Sequence, residues 1–184
     1  MNTGLIPVRY ARALLDFANV SGQQDEVYSE AKAVIKSYFK FGELRTVLDN
    51  PVLGKAEKRK IMILAAGDKV CTPFEKFLDL LLENNRENHL LSITLKYIDL
   101  FRSQKNIHYG KLTTASPVNV VTEKRLMAMV ENMTGGTIEM DKIIDPEILG
   151  GFMFEVDFVR WDASISGQLR RIRKEYIDKN NKIV

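Results

Sequence analysis

The chain is poor in the residues that build metal and redox sites. It has one cysteine, Cys71, and two histidines, His89 and His108, among 184 residues. A single thiol forms no internal disulfide, and these three residues show no recognisable zinc-ligand spacing. This usage fits a reducing compartment. Long apolar runs are also missing: nothing approaches the roughly 18 to 20 consecutive apolar residues of a membrane span. The first twenty residues carry Arg9, Arg12 and Asp16 where a secretory signal has an uncharged core. That start mimics a mitochondrial presequence, but it runs on into ordinary helical spacing, which favours a mature helix. Charge of one sign is scarce too. With 27 Lys+Arg against 24 Asp+Glu the net charge is +3, all of it in the first 110 residues. Counterion release onto nucleic acid needs a stronger basic footprint.

Phosphate-binding loops are absent as well. Neither Gly54-Lys55 nor Gly110-Lys111 belongs to a G-x-x-x-x-G-K-[ST] segment, and no dinucleotide fingerprint occurs. Acids such as Asp141 and Asp145 read as a solvated face, since carboxylates are common on surfaces. The sequence therefore supplies no catalytic residue, no metal site and no cofactor site.

What is present is ordinary core material: 45% hydrophobic and 28% charged residues, enough for one domain or two small ones in series. From residue 7 to about 106 the apolar spacing is helical and is broken at short intervals. Pro7 opens a helix to about Asn19, a second runs from Gln23 to about Lys40, and a short piece reaches Leu48. Lys55 to Ala66 is the fourth. Thr72-Pro73-Phe74-Glu75 starts the fifth with a predicted N-cap hydroxyl, a first-turn proline and a capping-box glutamate. The sixth, from about Asn88 to Asn106, aligns Leu90, Ile93, Tyr97 and Phe101. Beyond Gly110 the spacing becomes strand, helix, strand, strand, helix. Strands are expected at Lys111–Ser116, Thr137–Ile144 and Gly151–Phe158, with a helix capped by Thr122 presenting Leu126, Met129, Val130 and Met133. Asp145, Pro146, Gly150 and Gly151 mark a tight structural turn. The last helix, from near Ser164, aligns Ile165, Leu169, Ile172 and Tyr176. The fold class is α+β: an N-terminal six-helix bundle over 1–106, followed by a small C-terminal α/β domain over 110–184.

The first helix has more apolar circumference than one core contact requires. Val8, Ala11, Leu14, Leu15 and Ala18 form one stripe, and Tyr10, Ala13, Phe17 and Val20 a second beside it. Arg9, Arg12, Asp16 and Asn19 share the remaining wedge. The fifth helix is broadened in the same way by Leu80 next to Phe77. Two arrangements fit this spacing: a helix buried all round, or an open groove between the first and fifth helices for an amphipathic helix of another chain. On the last helix, Arg170, Arg171, Arg173 and Lys174 lie beside an apolar stripe. A helical nucleic-acid-binding regulator using that basic cluster is the alternative reading, against a plain solvated face.

Arg9-Tyr10-Ala11-Arg12-Ala13-Leu14-Leu15-Asp16-Phe17-Ala18, Asp49-Asn50-Pro51 and Leu82-Glu83-Asn84-Asn85-Arg86 resemble the delta subunit of bacterial F-type ATP synthase, the counterpart of the mitochondrial oligomycin-sensitivity-conferring protein. Thr114-Ala115-Ser116-Pro117, Asp145-Pro146-Glu147-Ile148-Leu149-Gly150-Gly151 and Asp162-Ala163-Ser164 are similar to its C-terminal signature. Asp157-Phe158 departs from the family's usual Gly-Asp turn. The resemblance implies a non-catalytic stator subunit with no cofactor, present once per complex. It would link the α3β3 head to the b subunits and resist rotational torque. The N-terminal domain would grip the N-terminal helix of an α subunit through Tyr10, Ala13, Leu14, Phe17, Phe77 and Leu80. The C-terminal domain would meet the C-terminal end of the b subunits. The implied location is the cytoplasmic face of the bacterial inner membrane, with no direct membrane insertion and no nucleic acid.

Overall fold

A computed structural model describes residues 4–117, 119, 124–125, 127–128, 131, 135–156 and 159–180. The chain divides into two compact units, Met1–Gln104 and Lys105–Val184.

The first unit holds six α-helices: α1 (Leu5–Ser21), α2 (Gln24–Lys40), α3 (Leu44–Asp49), α4 (Lys55–Ala66), α5 (Thr72–Glu83) and α6 (Leu90–Lys105). Glu87–His89 adds one 3-10 turn ahead of α6, so the sixth helix begins two residues later than its spacing suggested. The ends follow capping chemistry. Gly22 takes the left-handed conformation (φ 70°), letting its N–H reach Asn19 O at 3.2 Å and the Gln23 N–H reach Ala18 O at 3.1 Å. This paired pattern satisfies carbonyls that the last turn leaves open. Asn85 does the same at the end of α5, with φ 52° and the Arg86 N–H donating to Leu81 O at 2.8 Å. Asparagine is the residue after glycine that best tolerates this region, because its side chain bonds locally.

The start of α5 differs from the capping box expected there. Cys71, not Thr72, is the N-cap. Glu75 is drawn off by Arg59, whose Nη2 lies 2.6 Å from it, while Arg59 Nε and Nη2 reach Asp79 at 2.6 and 3.2 Å. At α4 the reciprocal half of a capping box does form: the Gly54 N–H donates to the Glu57 carboxylate at 3.3 Å.

Inside the unit, Val27, Ala31, Val34, Leu48, Met62, Phe74, Leu78 and Leu81 are buried with Leu90, Ile93, Tyr97 and Phe101, the predicted face of α6. Tyr28 and Phe101 stack with ring centroids 4.3 Å apart. The buried Tyr97 hydroxyl is satisfied by donating to Gln24 O at 3.1 Å. Lys58 is also buried, with its Nζ 2.6 Å from Glu87.

The second unit is a four-stranded mixed sheet: β1 (Ile107–Thr114), β2 (Thr137–Ile144), β3 (Phe152–Val156) and β4 (Val159–Asp162), in spatial order β2-β1-β3-β4. Strands β1 and β2 are parallel, and the other two pairs are antiparallel. A parallel pair needs a crossover rather than a hairpin, and positions 124–125, 127–128 and 131 of that connection are helical. Thr122, Leu126, Met129, Val130 and Met133, expected there as cap and apolar face, lie outside the described residues, as do Asp157 and Phe158. Leu112, Ile138, Phe154 and Val156 form the core, with Met140, Phe152 and Trp161 packed against it.

Two strand expectations are corrected. Strand β1 starts at Ile107, before Gly110 rather than after it, because its register with Thr137 extends the ladder back. The strand expected over Gly151–Phe158 is β3, Phe152–Val156 among the described residues, and a further edge strand that the spacing does not announce, β4, follows beyond it. Val159-Arg160-Trp161-Asp162 is too short for a period-2 signal, and pairing with β3 creates it. Helix α7 (Ile165–Asn180) closes the described chain.

Candidate functional site

Helices α1 and α5 pack together, and the pattern of burial along α1 defines the site. Pro7, Ala11, Leu14, Leu15 and Ala18 are buried. At 100° per residue Leu14 stands about 40° from Ala18, while Ala13 stands about 140° away. The second stripe therefore turns progressively outward: Tyr10 is half-buried, Ala13 is exposed, and Phe17 and Val20 are 40% and 88% exposed. Helix α5 adds Leu80, 44% exposed. Tyr10, Ala13 and Leu80 line one surface concavity of about 310 Å³ with Ile6, Arg9 and Arg86.

The six residues expected at this groove thus separate into three groups. Tyr10, Ala13 and Leu80 come together in the lining. Phe17 is exposed on α1, outside that lining. Leu14 and Phe77 are 2% and 6% exposed and belong to the core, because their angular positions coincide with the packing faces of their own helices. Spacing sets Leu14 in the stripe with Ala11 and Ala18, and it is the family resemblance that places Leu14 and Phe77 at the groove.

Charge frames the concavity. The Arg86 guanidinium carbon lies 6.0 Å from the Tyr10 ring centroid, and Lys76 Nζ lies 5.6 Å from that of Phe17. Both are cation–π distances. Arg9, assigned from spacing to the polar wedge, also lines the opening. Arg86 was visible only as part of a motif, since its meeting with Tyr10 requires the left-handed Asn85 that ends α5. The site offers apolar anchors with a basic border, which suits an amphipathic helix bearing acidic residues. A second concavity, of about 350 Å³, opens among α2, α3 and α4 and is lined by Phe41, Leu44, Val47, Ile61 and Leu64 among others.

In the second unit the expected turn residues build the seat of α7. The Asp145 carboxylate accepts the Glu147 N–H at 2.9 Å, Pro146–Ile148 forms a 3-10 turn, and Gly150 O accepts the Ile165 N–H at 3.0 Å. Gly151 has φ 74°, and a Cβ there would run into the Ala163 carbonyl. The buried Ser164 hydroxyl accepts the Gly167 N–H at 3.0 Å and donates to Asp162 at 2.5 Å. The bonds from Ser164 hold the Asp162 carboxyl below its ordinary value.

From that anchored start, α7 exposes Ile165, Leu169, Ile172 and Tyr176. Of its four clustered cations, Arg170 lies 3.7 Å from the Asp162 carboxylate and Arg171 donates to Asp162 O at 2.8 Å. These contacts tie two of the four cations to Asp162 at the surface, and nothing else supports the nucleic-acid reading. Among the described residues no group of three His, Cys, Asp or Glu is placed to hold a metal ion, and no helix is long and apolar enough to cross a membrane.

Comparison with known proteins agrees with this architecture. The profile of the ATP synthase delta (OSCP) subunit family matches residues 6–176. An ATP synthase subunit delta from Phocaeicola vulgatus is 44% identical over 185 residues, covering 100% of both chains. Another, from Prochlorococcus marinus, is 31% identical over 176 residues, covering 95% of this chain and 96% of that one. A chain of the Toxoplasma gondii mitochondrial ATP synthase hexamer shares the fold with a TM-score of 0.67 at 18% identity, over 93% of this chain and 97% of that one. With matches spanning both units from α1 into α7, the chain belongs to the ATP synthase delta (OSCP) subunit family.

Proposed function

We propose that this protein is the non-catalytic stator subunit that ties the α3β3 head of an F-type ATP synthase to its peripheral stalk and resists the torque of the turning shaft. The observation that carries the reading is the concavity between α1 and α5, where Tyr10, Ala13 and Leu80 stand at the surface within a basic border. An amphipathic helix at the N-terminus of an α subunit is its occupant. Burying several anchors at roughly 1.5 to 3 kcal/mol each leaves a surplus over association costs, as a part that bears load requires. The second unit meets the C-terminal end of the b subunits, and the exposed stripe on α7 is the apolar surface available for that contact. One copy per complex then sits at the cytoplasmic face of the bacterial inner membrane, held by its partners.

Calorimetric titration with a peptide of the α-subunit N-terminus tests the reading. Tight capture, weakly dependent on salt and lost when Ala13 is replaced by Asp, supports it. A protein with native helicity that ignores the peptide refutes it. Leu169→Asp is expected to release the b-subunit end without weakening that peptide.

A further inference from the structure

Helix α5 contributes Leu80 to the concavity, and the N–H of its N-cap residue is satisfied from elsewhere in the fold. Cys71 is the N-cap, Pro73 has no N–H, and Glu75, placed to bond back to the helix start, is held by Arg59. The acceptor for the Cys71 N–H comes from α2, 41 residues upstream. The Glu30 carboxylate accepts the Cys71 N–H at 2.5 Å through one oxygen and the Cys71 thiol at 3.1 Å through the other. This is the bond that the third residue of a capping box ordinarily makes to its own N-cap N–H. Here it is made across the fold, so it constrains where α5 starts as well as how it starts.

We propose that Glu30 is a positioning residue for partner-helix capture: by capping α5 from α2 it sets the pose in which α5 presents Lys76 and Leu80 beside α1. The proposal rests on the reading of the α1/α5 concavity as a helix-binding groove.

The other restraints on α5 leave this role open. Arg59 of α4 grips Glu75 and Asp79, and Lys58 of α4 pairs with Glu87 beyond the helix end. Those contacts hold one face of the helix, from Glu75 in the first turn to Asp79, and the turn beyond its far end. Lys76 and Leu80 lie on another side of α5, about 100° and 140° around from Glu75, so the groove-facing residues depend on how the helix is rotated. The restraint at Cys71 acts at the N-cap itself, just ahead of the first turn, and comes from α2 rather than α4. Burial pushes the Cys71 thiol up to about 12, so it remains an S–H donor to Glu30. Burial also raises the Glu30 carboxyl above its ordinary value, while the two bonds from Cys71 oppose that rise and Glu26 adds to it.

The experiment compares the full-length protein with Glu30→Ala, Glu30→Gln and Cys71→Pro. Glutamine keeps a carbonyl acceptor for the Cys71 N–H. Proline removes that donor at a φ of −70°, which its ring already favours. Two quantities are measured below the melting transition of each variant: affinity for the α-subunit N-terminal peptide, and nuclear Overhauser contacts between Lys76 and the Phe17 ring. The expected result is a loss of about tenfold or more in affinity for Glu30→Ala and Cys71→Pro, the size of one charge-assisted hydrogen bond. The Lys76–Phe17 contacts weaken in both, and Glu30→Gln restores both readouts. Unchanged contacts in folded Glu30→Ala overturn the proposal, as do unchanged contacts in Cys71→Pro should the alanine variant not fold. If the wild-type protein does not bind the peptide, the groove reading fails while the Overhauser comparison still decides what Glu30 does.

Discussion

Arg86, three residues beyond the end of α5, places its guanidinium carbon 6.0 Å from the centre of the Tyr10 ring on α1. The contact joins the two walls of the concavity at its border. It exists because α5 ends in the left-handed turn at Asn85, which brings the Arg86 N–H onto Leu81 O. A partner helix entering the groove meets an aromatic face already paired with a cation, and therefore a site with a preferred side for acidic residues.

Phe17 is exposed beside Lys76, so its replacement by glutamate leaves the core untouched. We expect native helicity and melting within about 0.5 kcal/mol of wild type. Affinity for the α-subunit N-terminal peptide should fall by at least about 2 kcal/mol, as at an interface anchor. Calorimetry and circular dichroism on the same sample check both halves. Retained affinity in a folded protein would remove Phe17 from the interface.

Leu14 and Leu80 should separate stability from binding. Leu14→Ala opens a cavity in the core and is expected to cost about 2 to 5 kcal/mol in denaturant unfolding. Leu80→Ala removes an exposed side chain, so stability changes by less than about 1 kcal/mol while peptide affinity drops. The reverse ordering would contradict the burial of these two residues.

Lys58 and Glu87 tie α4 to the turn ahead of α6. Burial raises the Glu87 carboxyl, but the hydrogen bond from Lys58, a backbone bond and the nearby Lys55 outweigh it, leaving the group below its ordinary value of 4.5. A carboxyl lowered on folding contributes stability above its unfolded value and loses it as pH falls through the folded one. Unfolding free energy should therefore decline below about pH 4.5, and Glu87→Gln should flatten that decline. Lys58→Ala at neutral pH leaves a buried carboxylate unpaired and should cost about 3 kcal/mol. A pH profile identical in wild type and Glu87→Gln would show that the pair carries no linkage.

Gly151 occupies a left-handed position with the Ala163 carbonyl where a Cβ would go. Gly151→Ala should destabilise the second unit by more than about 1 kcal/mol, through backbone strain and the collision together. Trp161, the single tryptophan of the chain, stacks on Phe154 at 5.9 Å within that unit and reports its unfolding by fluorescence. An unshifted fluorescence transition would mean that the turn yields without strain.

The helical ladder of the first unit, the Gly22 and Asn85 terminations and the buried face of α6 follow from spacing and cap chemistry, which act within one or two turns. The surplus of apolar residues on α1 was legible for the same reason. Whether its second stripe is covered or open was not, because spacing assigns an angle around the helix axis and says nothing about which neighbour occupies that angle. Placement of α5 buries Leu14 and Phe77, leaves Ala13, Phe17 and Leu80 outside, and aligns Arg86 with Tyr10. The short edge strand β4 is decided in the same way, by pairing with β3.

By itself, the order of residues determined that this chain forms a helical first part and a mixed second part, belongs to a recognisable family and carries an overly apolar first helix. Only the tertiary structure decided that Glu30 rather than Glu75 reaches the start of α5, and which side chains face outward between α1 and α5. The physical reason is range. Caps and periodicity are local, whereas exposure and cross-fold hydrogen bonds depend on elements tens of residues apart arriving at the same place.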